Sequence, residues 1–129
     1  MNPLIFNLFA SRKGPEHLIW CKKLYVGRKA LEKKTKLIQS IDKEKLLKDI
    51  YILMIPTNPN NQVEIMDANY LKQPYYRKQP ITIVGLAVGR GEAEDQLLRI
   101  VGDCWKKQGN ADLRTFLREM IREEGIRST

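Results

Sequence analysis

The sequence predicts a single α+β domain: a small mixed sheet, made of a β-hairpin and a further strand, packed against an N-terminal helix and two C-terminal helices. Residues 50–56 and 81–89 are continuous apolar runs rich in β-favouring residues, which is typical of buried strands. An Asn- and Pro-rich turn separates the first run from the alternating segment 63–68, which predicts the hairpin. Two helical patterns then fill the last third of the chain. Strands and helices that do not alternate strictly are typical of the α+β class.

The first third of the domain combines a strand-like segment with a basic helix. Residues 17–26 have strand-like composition, and Gly27 breaks the pattern. We expect a helix over 28–39 and a single helical turn that begins with Asp42 as its N-cap. Leu24, which precedes this helix, is at heptad spacing with Leu31 and Ile38 inside it, and Leu37 lies beside them, which predicts an apolar face.

Two amphipathic helices follow the second strand run. The first covers 91–107, with acidic residues at its start and lysines at its end, as the helix dipole favours. Its predicted apolar face consists of Ala93, Leu97, Ile100, Val101, Cys104 and Trp105. Gly109 fits the position after the helix end, and Asp112 fits the N-cap of the last helix. The core stripe of that helix is predicted to be Leu113, Phe116, Leu117 and Met120.

We divide the single domain 1–129 into an apolar N-terminal extension and linker (1–16), a globular core (17–124) and a tail (125–129). The first ten residues have no preceding basic segment and no following small-residue cleavage site, so we expect no export signal. Their apolar character predicts packing on the core, or a homo-oligomer that forms through residues 4–10.

The composition excludes several classes of protein. No apolar run approaches the roughly 20 residues of a membrane-spanning helix. The two cysteines and the single histidine are too dispersed for a zinc site or a disulfide framework. We therefore expect a cytoplasmic protein without a metal or another cofactor.

The positive charge is concentrated near the N-terminus. The net charge of the chain is +8, and residues 1–50 contribute +7 of it through twelve Lys and Arg against five Asp and Glu. Such an asymmetry favours an anionic partner, with nucleic acid first and an acidic protein second. The alternative is a solvated surface without a partner, because lysine is easily exposed.

The best binding candidate is the segment Tyr75-Tyr76-Arg77-Lys78, which lies between two prolines. Adjacent aromatic and basic side chains are able to stack on bases and contact phosphates. The alternative is structural, with one tyrosine packed on the sheet and the cations solvated. Three lysines of the basic helix complete the predicted surface: Lys29, Lys33 and Lys36.

The turn Gly85–Gly91 has the strand-to-helix context of a phosphate cradle but the spacing of neither common glycine-rich motif. Glu92, Glu94 and Asp95 would repel an anion there. We interpret the segment as a tight turn with Gly91 near the N-cap of the helix, and we expect no cofactor at it.

The sequence shows no recognisable catalytic site. Cys104 lies on an apolar stripe, and Cys21 has lysine neighbours that are able to lower the pKa of its thiol. His17 is the one imidazole base available to it. Glu64 and Asp67 would point to opposite faces of a strand, which argues against a shared metal or an acid/base pair.

The segments Gln73–Lys78 and Val84–Gly89 also carry a family resemblance. The pattern QPYYRK followed by VGLAxG is similar to a family of small uncharacterised bacterial proteins of the Firmicutes type, over residues 22–117. The resemblance implies a small intracellular domain and supplies no catalytic residue.

These observations lead to one main hypothesis and two alternatives. We expect a non-enzymatic binding or accessory protein whose basic N-terminal half meets an anionic partner. The first alternative is a small-ligand-binding or enzymatic domain that uses the Gly85–Gly91 turn and the Tyr75–Lys78 loop. The second is a self-assembling structural domain.

Overall fold

The structure, a computed structural model, describes residues 16–127. This part of the chain contains four strands, five α-helices and one 3-10 helix. In chain order they are β1 (Leu18–Val26), α1 (Arg28–Leu31), α2 (Lys34–Asp42), β2 (Ile50–Ile55), β3 (Glu64–Asp67), the 3-10 helix (Ala68–Lys72), α3 (Pro74–Arg77), β4 (Ile81–Val88), α4 (Arg90–Gln108) and α5 (Leu113–Glu124). The predicted α+β class is confirmed.

The four strands form one mixed sheet in the order β1-β4-β2-β3. β2 and β3 form the predicted antiparallel hairpin, with a register that runs from Tyr51 opposite Asp67 to Met54 opposite Glu64. β4 inserts between β1 and β2, parallel to the first and antiparallel to the second. The two predicted buried strands are therefore the two central ones, and the strand-like segment at the N-terminus adds an edge strand.

Helices cover both faces of the sheet and create two separate cores. On one face, α2 and the 3-10 helix pack on strand residues that include Ile52 and Ile83. On the other face, α4 and α5 pack on residues that include Leu53 and Val84. Because neighbouring strand residues point to opposite faces, these adjacent apolar side chains enter different cores. This three-layer arrangement explains why the central strands are apolar without interruption.

A β-bulge in β4 keeps apolar side chains in both cores. Leu53 lies opposite Gly85, whereas the next residue of β2, Met54, lies opposite Ile83, so β4 contains one extra residue. Ile83 and Leu86 consequently face the same core although they are three positions apart. A Cβ on Gly85 would lie 3.0 Å from the backbone carbonyl oxygen of Tyr25 and 2.8 Å from Leu53 Cδ1, so the close approach of β1 and β2 favours glycine at the bulge.

The predicted basic helix over 28–39 is wrong in one respect, because the structure divides it into α1 and α2. The backbone of Lys33 (φ −133°, ψ 31°) leaves the helical region and breaks the pattern. As a result, Leu31 is 61% exposed, and Ala30 is the buried residue of α1. Asp42 ends α2 rather than capping a new turn, and its carboxylate accepts a hydrogen bond from the indole of Trp20 at 2.9 Å.

The C-terminal helices follow their predicted patterns with one correction. Trp105, predicted to face the core, is 52% exposed, because Cys104 occupies the centre of the buried stripe and the next side chain is rotated by about 100°. Gln96 is buried on that stripe instead. The predicted stripe of α5 is confirmed. The Asp112 carboxylate caps that helix by accepting from the backbone N–H of Thr115 at 3.3 Å.

The chain after α5 returns to the outer edge of β1. The N–H of Lys22 donates to the carbonyl of Gly125 at 3.1 Å, and the N–H of Arg127 donates to the carbonyl of Trp20 at 2.7 Å. This short antiparallel contact covers part of a strand edge that would otherwise expose unpaired backbone groups. The predicted tail is thus paired with the sheet at least as far as Arg127.

The apolar N-terminal extension, including the interface predicted for residues 4–10, lies outside the described residues. Between residues 16 and 127, no helix is both long and apolar enough to cross a bilayer.

The burial of α4 predicts which of its residues matters for stability. Ile100 is fully buried, Leu97 is half-buried and Leu98 is 68% exposed. We expect Ile100→Ala to lower the free energy of unfolding by about 2–5 kcal/mol in denaturant melts. Leu97→Ala should cost less, and the matched control Leu98→Ala should change it by no more than about 0.5 kcal/mol. Equal effects of the Ile100 and Leu98 substitutions would show that α4 packs through another face.

Candidate functional site

The predicted Tyr75–Lys78 segment forms the short helix α3 and the residue after it. Pro74 occupies the first turn of that helix, where a missing N–H costs nothing. Tyr75 is 67% exposed, whereas Tyr76 is half-buried against the core beneath α2. The two rings meet edge to face, with centroids 5.0 Å apart. Burial raises the pKa of the Tyr76 hydroxyl. Tyr76 therefore has a structural role, and Tyr75 is the tyrosine of this pair with a free ring face.

The two cations of this segment differ in the same way. Arg77 donates to the carboxylate of Glu44 at 2.8 Å, which ties α3 to the segment that follows α2. Lys78 is exposed and forms no ion pair within the described chain. Both α2 and Tyr76 pack on the same sheet face. The predicted basic helix and the Tyr75–Lys78 segment therefore lie on the same side of the sheet.

The three lysines of the predicted surface are all exposed. Lys29 lies on α1, Lys33 lies between the two helices and Lys36 lies on α2. They belong to a larger basic segment, which we define as the ten cations of residues 22–48: Lys22, Lys23, Arg28, Lys29, Lys33, Lys34, Lys36, Lys43, Lys45 and Lys48. Among the described residues, none of the ten has a carboxylate within ion-pair distance.

Glu92 occupies an internal anion site that local sequence patterns did not reveal. Its carboxylate accepts hydrogen bonds from the backbone N–H groups of Val88 at 2.9 Å, Lys29 at 2.9 Å and Ala30 at 3.3 Å. The last two belong to the first turn of α1, where helical N–H groups lack partners. The side chain therefore joins the start of α1 to the turn between β4 and α4.

The surroundings of Glu92 fit a permanently charged carboxylate. Burial by itself would raise the pKa, but the three backbone donors and the neighbouring Lys29 hold the pKa of Glu92 below its usual value. Gly27 is part of the same arrangement, because a Cβ there would overlap the Glu92 carboxyl group. A glycine is needed at this position for close approach rather than for an unusual φ.

The Gly85–Gly91 turn has the structure of a tight turn next to Glu92. Gly89, not Gly91, is the N-cap of α4, and its positive φ of 86° makes the tight turn that was predicted. Two backbone donors of this turn are already paired, because the N–H of Val88 donates to Glu92 and that of Gly89 donates to the carbonyl of Asp49. Val88 is four positions from Glu92 in the sequence. Lys29 and Ala30 are 63 and 62 positions from it, so no local sequence pattern shows their contacts with Glu92.

The cysteine and histidine expectations need one correction. The lysines beside Cys21 do not lower the pKa of its thiol, because burial raises it to about 12. Cys104 is fully buried, and burial raises the pKa of its thiol as well. His17 is fixed just before β1, where its carbonyl accepts from the N–H of Ile81 at 2.7 Å. Within residues 16–127, no cluster of three or more side chains is arranged to hold a metal.

A polar cavity of about 330 Å³ lies between the two segments of the alternative hypothesis. It reaches from Tyr76 near α3 to Arg90 at the start of α4, along the edge strand β3. Glu64 and Asp67, predicted to point apart, both border it. The Asp67 carboxylate also accepts from the N–H of Asn69 at 2.9 Å, so it caps the 3-10 helix.

Comparison of the chain with protein-family models, with curated proteins and with solved structures gave no match. The evidence for a function therefore comes from the surfaces of the domain.

The anion site predicts a specific loss of stability. Glu92→Gln preserves the side-chain shape but removes the charge and one acceptor, so we expect it to lower the free energy of unfolding by about 1–3 kcal/mol. Glu94→Gln is the matched control, since Glu94 is exposed and pairs only with Arg90, at 3.4 Å. Its effect should stay within about 0.5 kcal/mol in the same melts. Identical melts for Glu92→Gln and the wild type would contradict the role of this carboxylate.

His17 predicts a pH-dependent stability near neutrality. Burial lowers its pKa below 6.5, opposed by Glu44 and Asp42 and assisted by Arg77. Its Nε2 is buried without a hydrogen-bond partner. The unfolded chain therefore binds the proton more tightly, and stability should fall as the pH drops below about 6.5 toward the folded-state pKa. His17 is the only histidine of the chain, so His17→Gln should flatten this dependence in melts between pH 7.5 and 5.5. An unchanged slope would rule out His17 as its source.

Proposed function

We propose that this protein is a non-enzymatic binding module that holds single-stranded nucleic acid on its basic segment, beside the exposed ring of Tyr75. The observation that carries the proposal is the set of ten cations in residues 22–48 that lack a carboxylate partner within the described chain. The two free cysteines fit a reducing compartment, so we propose a cytoplasmic nucleic acid.

The three acidic residues within residues 22–48 of the described chain do not form ion pairs with the ten cations of the basic segment. Residues 22–48 contain three acids: Glu32, Asp42 and Glu44. Asp42 accepts from Trp20 and Glu44 pairs with Arg77, so both are engaged outside the basic segment. Cations without a carboxylate partner attract a polyanion, which releases its counterions when it binds.

Exposed aromatic rings favour a single strand over a duplex. Tyr75 is 67% exposed and Tyr70 is 52% exposed, and the ring of Tyr75 meets that of the half-buried Tyr76 edge to face at 5.0 Å between centroids. Unpaired bases stack on such rings whatever their sequence, whereas the bases of a duplex are not accessible for stacking. Base stacking together with phosphate contacts therefore gives binding with little sequence preference.

The polar cavity between Tyr76 and Arg90 favours a second candidate function, the binding of a small polar ligand. Its volume of about 330 Å³ lies at the lower end of the range of ligand pockets. Arg90 would hold an anionic group of such a ligand, although Glu64 and Asp67 on the same wall oppose a high negative charge.

Fluorescence anisotropy with a labelled 20-nucleotide single strand tests the main proposal. The logarithm of the binding constant should fall linearly with the logarithm of salt concentration, by about 0.7 per phosphate contact. Lys33→Glu with Lys36→Glu should weaken binding and reduce that slope by at least about 1.4, because two contacts are lost. The matched control, Lys106→Glu with Lys107→Glu on α4, changes the net charge equally and should have a much smaller effect.

Tyr75→Ala separates stacking from charge. It should weaken binding by about 1–3 kcal/mol with little change in the salt slope. Equal losses from both lysine pairs would indicate non-specific attraction and contradict a site on the basic segment. No binding tighter than about 100 μM at low salt would exclude nucleic acid and leave an acidic protein as the partner of this surface.

A further inference from the structure

A second concave surface lies at the end of the sheet where β1 and β4 begin and β2 ends. Helix α5 and the tail cover one side of it, and the cavity they leave has a volume of about 790 Å³. We name it the arginine groove. Its lining includes four isoleucines from β1, β2, α5 and the tail, and three arginines from α5.

The floor of the arginine groove is apolar. Four isoleucines line it, from β1, β2, α5 and the tail: Ile19, Ile55, Ile121 and Ile126. Ile126 is 52% exposed although the backbone on both sides of it is hydrogen-bonded to β1. The tail thus leaves a large apolar side chain exposed beside three other isoleucines, and a contiguous apolar patch of this kind is typical of a binding surface.

The charges of the arginine groove have one sign. Three of its lining residues are arginines, and none is acidic. Arg118 forms no ion pair with any described residue, and Arg122 is paired only with the exposed Glu119, at 3.8 Å. An anion that entered the groove would therefore meet two guanidinium groups with little competition from carboxylates of the protein.

The third arginine makes the groove rigid. Arg114 donates through Nη1 to the carbonyls of Pro56 at 2.6 Å and Asn61 at 2.9 Å, and so fixes the hairpin loop against α5. These acceptors are neutral, so Arg114 adds positive charge to the groove while it holds the wall in place. A preformed site loses less conformational entropy when a ligand binds.

We propose that the arginine groove binds a free straight-chain fatty acid, with the hydrocarbon chain on the isoleucine floor and the carboxylate between Arg118 and Arg122. Guanidinium groups suit a carboxylate because their planar N–H donors bind both of its oxygens. The apolar floor accounts for a hydrocarbon chain, which a sugar phosphate or a nucleotide would lack. The site is independent of the basic segment, so neither proposal depends on the other.

Calorimetric titration of the full-length protein with dodecanoate below its micelle concentration tests the proposal. We expect saturable binding of one molecule per chain, and at least tenfold weaker binding of dodecanol and of butanoate, because each lacks one of the two contacts. Arg118→Gln with Arg122→Gln should also weaken dodecanoate binding at least tenfold. The matched control, Lys106→Gln with Lys107→Gln on α4, removes the same charge outside the groove and should leave the affinity unchanged.

The location of the ligand needs a direct measurement. Methyl NMR shifts at Ile19, Ile121 and Ile126 should move on titration, while those of the distant core residue Ile38 should not. Absence of saturable binding, or equal weakening by the arginine pair and by the lysine pair, would overturn the proposal. Phe6→Ser with Phe9→Ser in the full chain tests a competing occupant from the N-terminal extension. Dodecanoate binding to that variant alone would show that the groove is not a fatty-acid site in the natural protein.

Discussion

The Glu92 carboxylate is the contact on which the arrangement of α1, β4 and α4 depends. It supplies acceptors to N–H groups of Val88, Lys29 and Ala30, two of which belong to a helix of only four residues. A helix that short cannot persist by itself, because its nucleation cost exceeds the gain from its few hydrogen bonds. The carboxylate stabilises it from outside. Gly27 follows from the same contact, since any larger residue would displace the carboxyl group.

The negative charge of Glu92 also affects where an anionic ligand is able to bind. The turn after β4 resembles a phosphate cradle in its glycines, yet the N–H of Val88 is already paired with the Glu92 carboxylate and that of Gly89 with the carbonyl of Asp49. Two other places of the described chain carry groups of cations. One is the basic segment around α1 and α2, and the other is the arginine groove at the opposite end of the parallel strands β1 and β4. The two surfaces suit different ligands, because exposed tyrosines accompany the first and the isoleucines of an apolar groove accompany the second.

Local periodicity predicted the parts of the fold in which one pattern dominates. The central strands, the hairpin and the stripe of α5 are of this kind. Prediction was wrong where a distant residue decides the structure. Leu31 fits a heptad, but α1 is held by Glu92, about 60 positions away, and its orientation exposes that leucine. Cys21 has basic neighbours in sequence, but burial governs the pKa of its thiol. The sequence identified the Tyr75–Lys78 segment as aromatic and basic. It did not show that Arg77 forms an ion pair with Glu44, because the two residues meet only in the folded structure.

The irregular strand β1 connects the two candidate surfaces. Between Trp20 and Tyr25 it advances five residues while β4 advances only two, so the intervening residues leave the regular ladder. Lys22 and Lys23 are exposed in this stretch and begin the basic segment. The outer edge of the same strand, which faces away from β4, pairs with the tail through the carbonyl of Trp20 and the N–H of Lys22, and this brings Ile126 to the groove. One strand therefore carries the first cations of the basic segment and holds the tail that completes the apolar lining of the arginine groove.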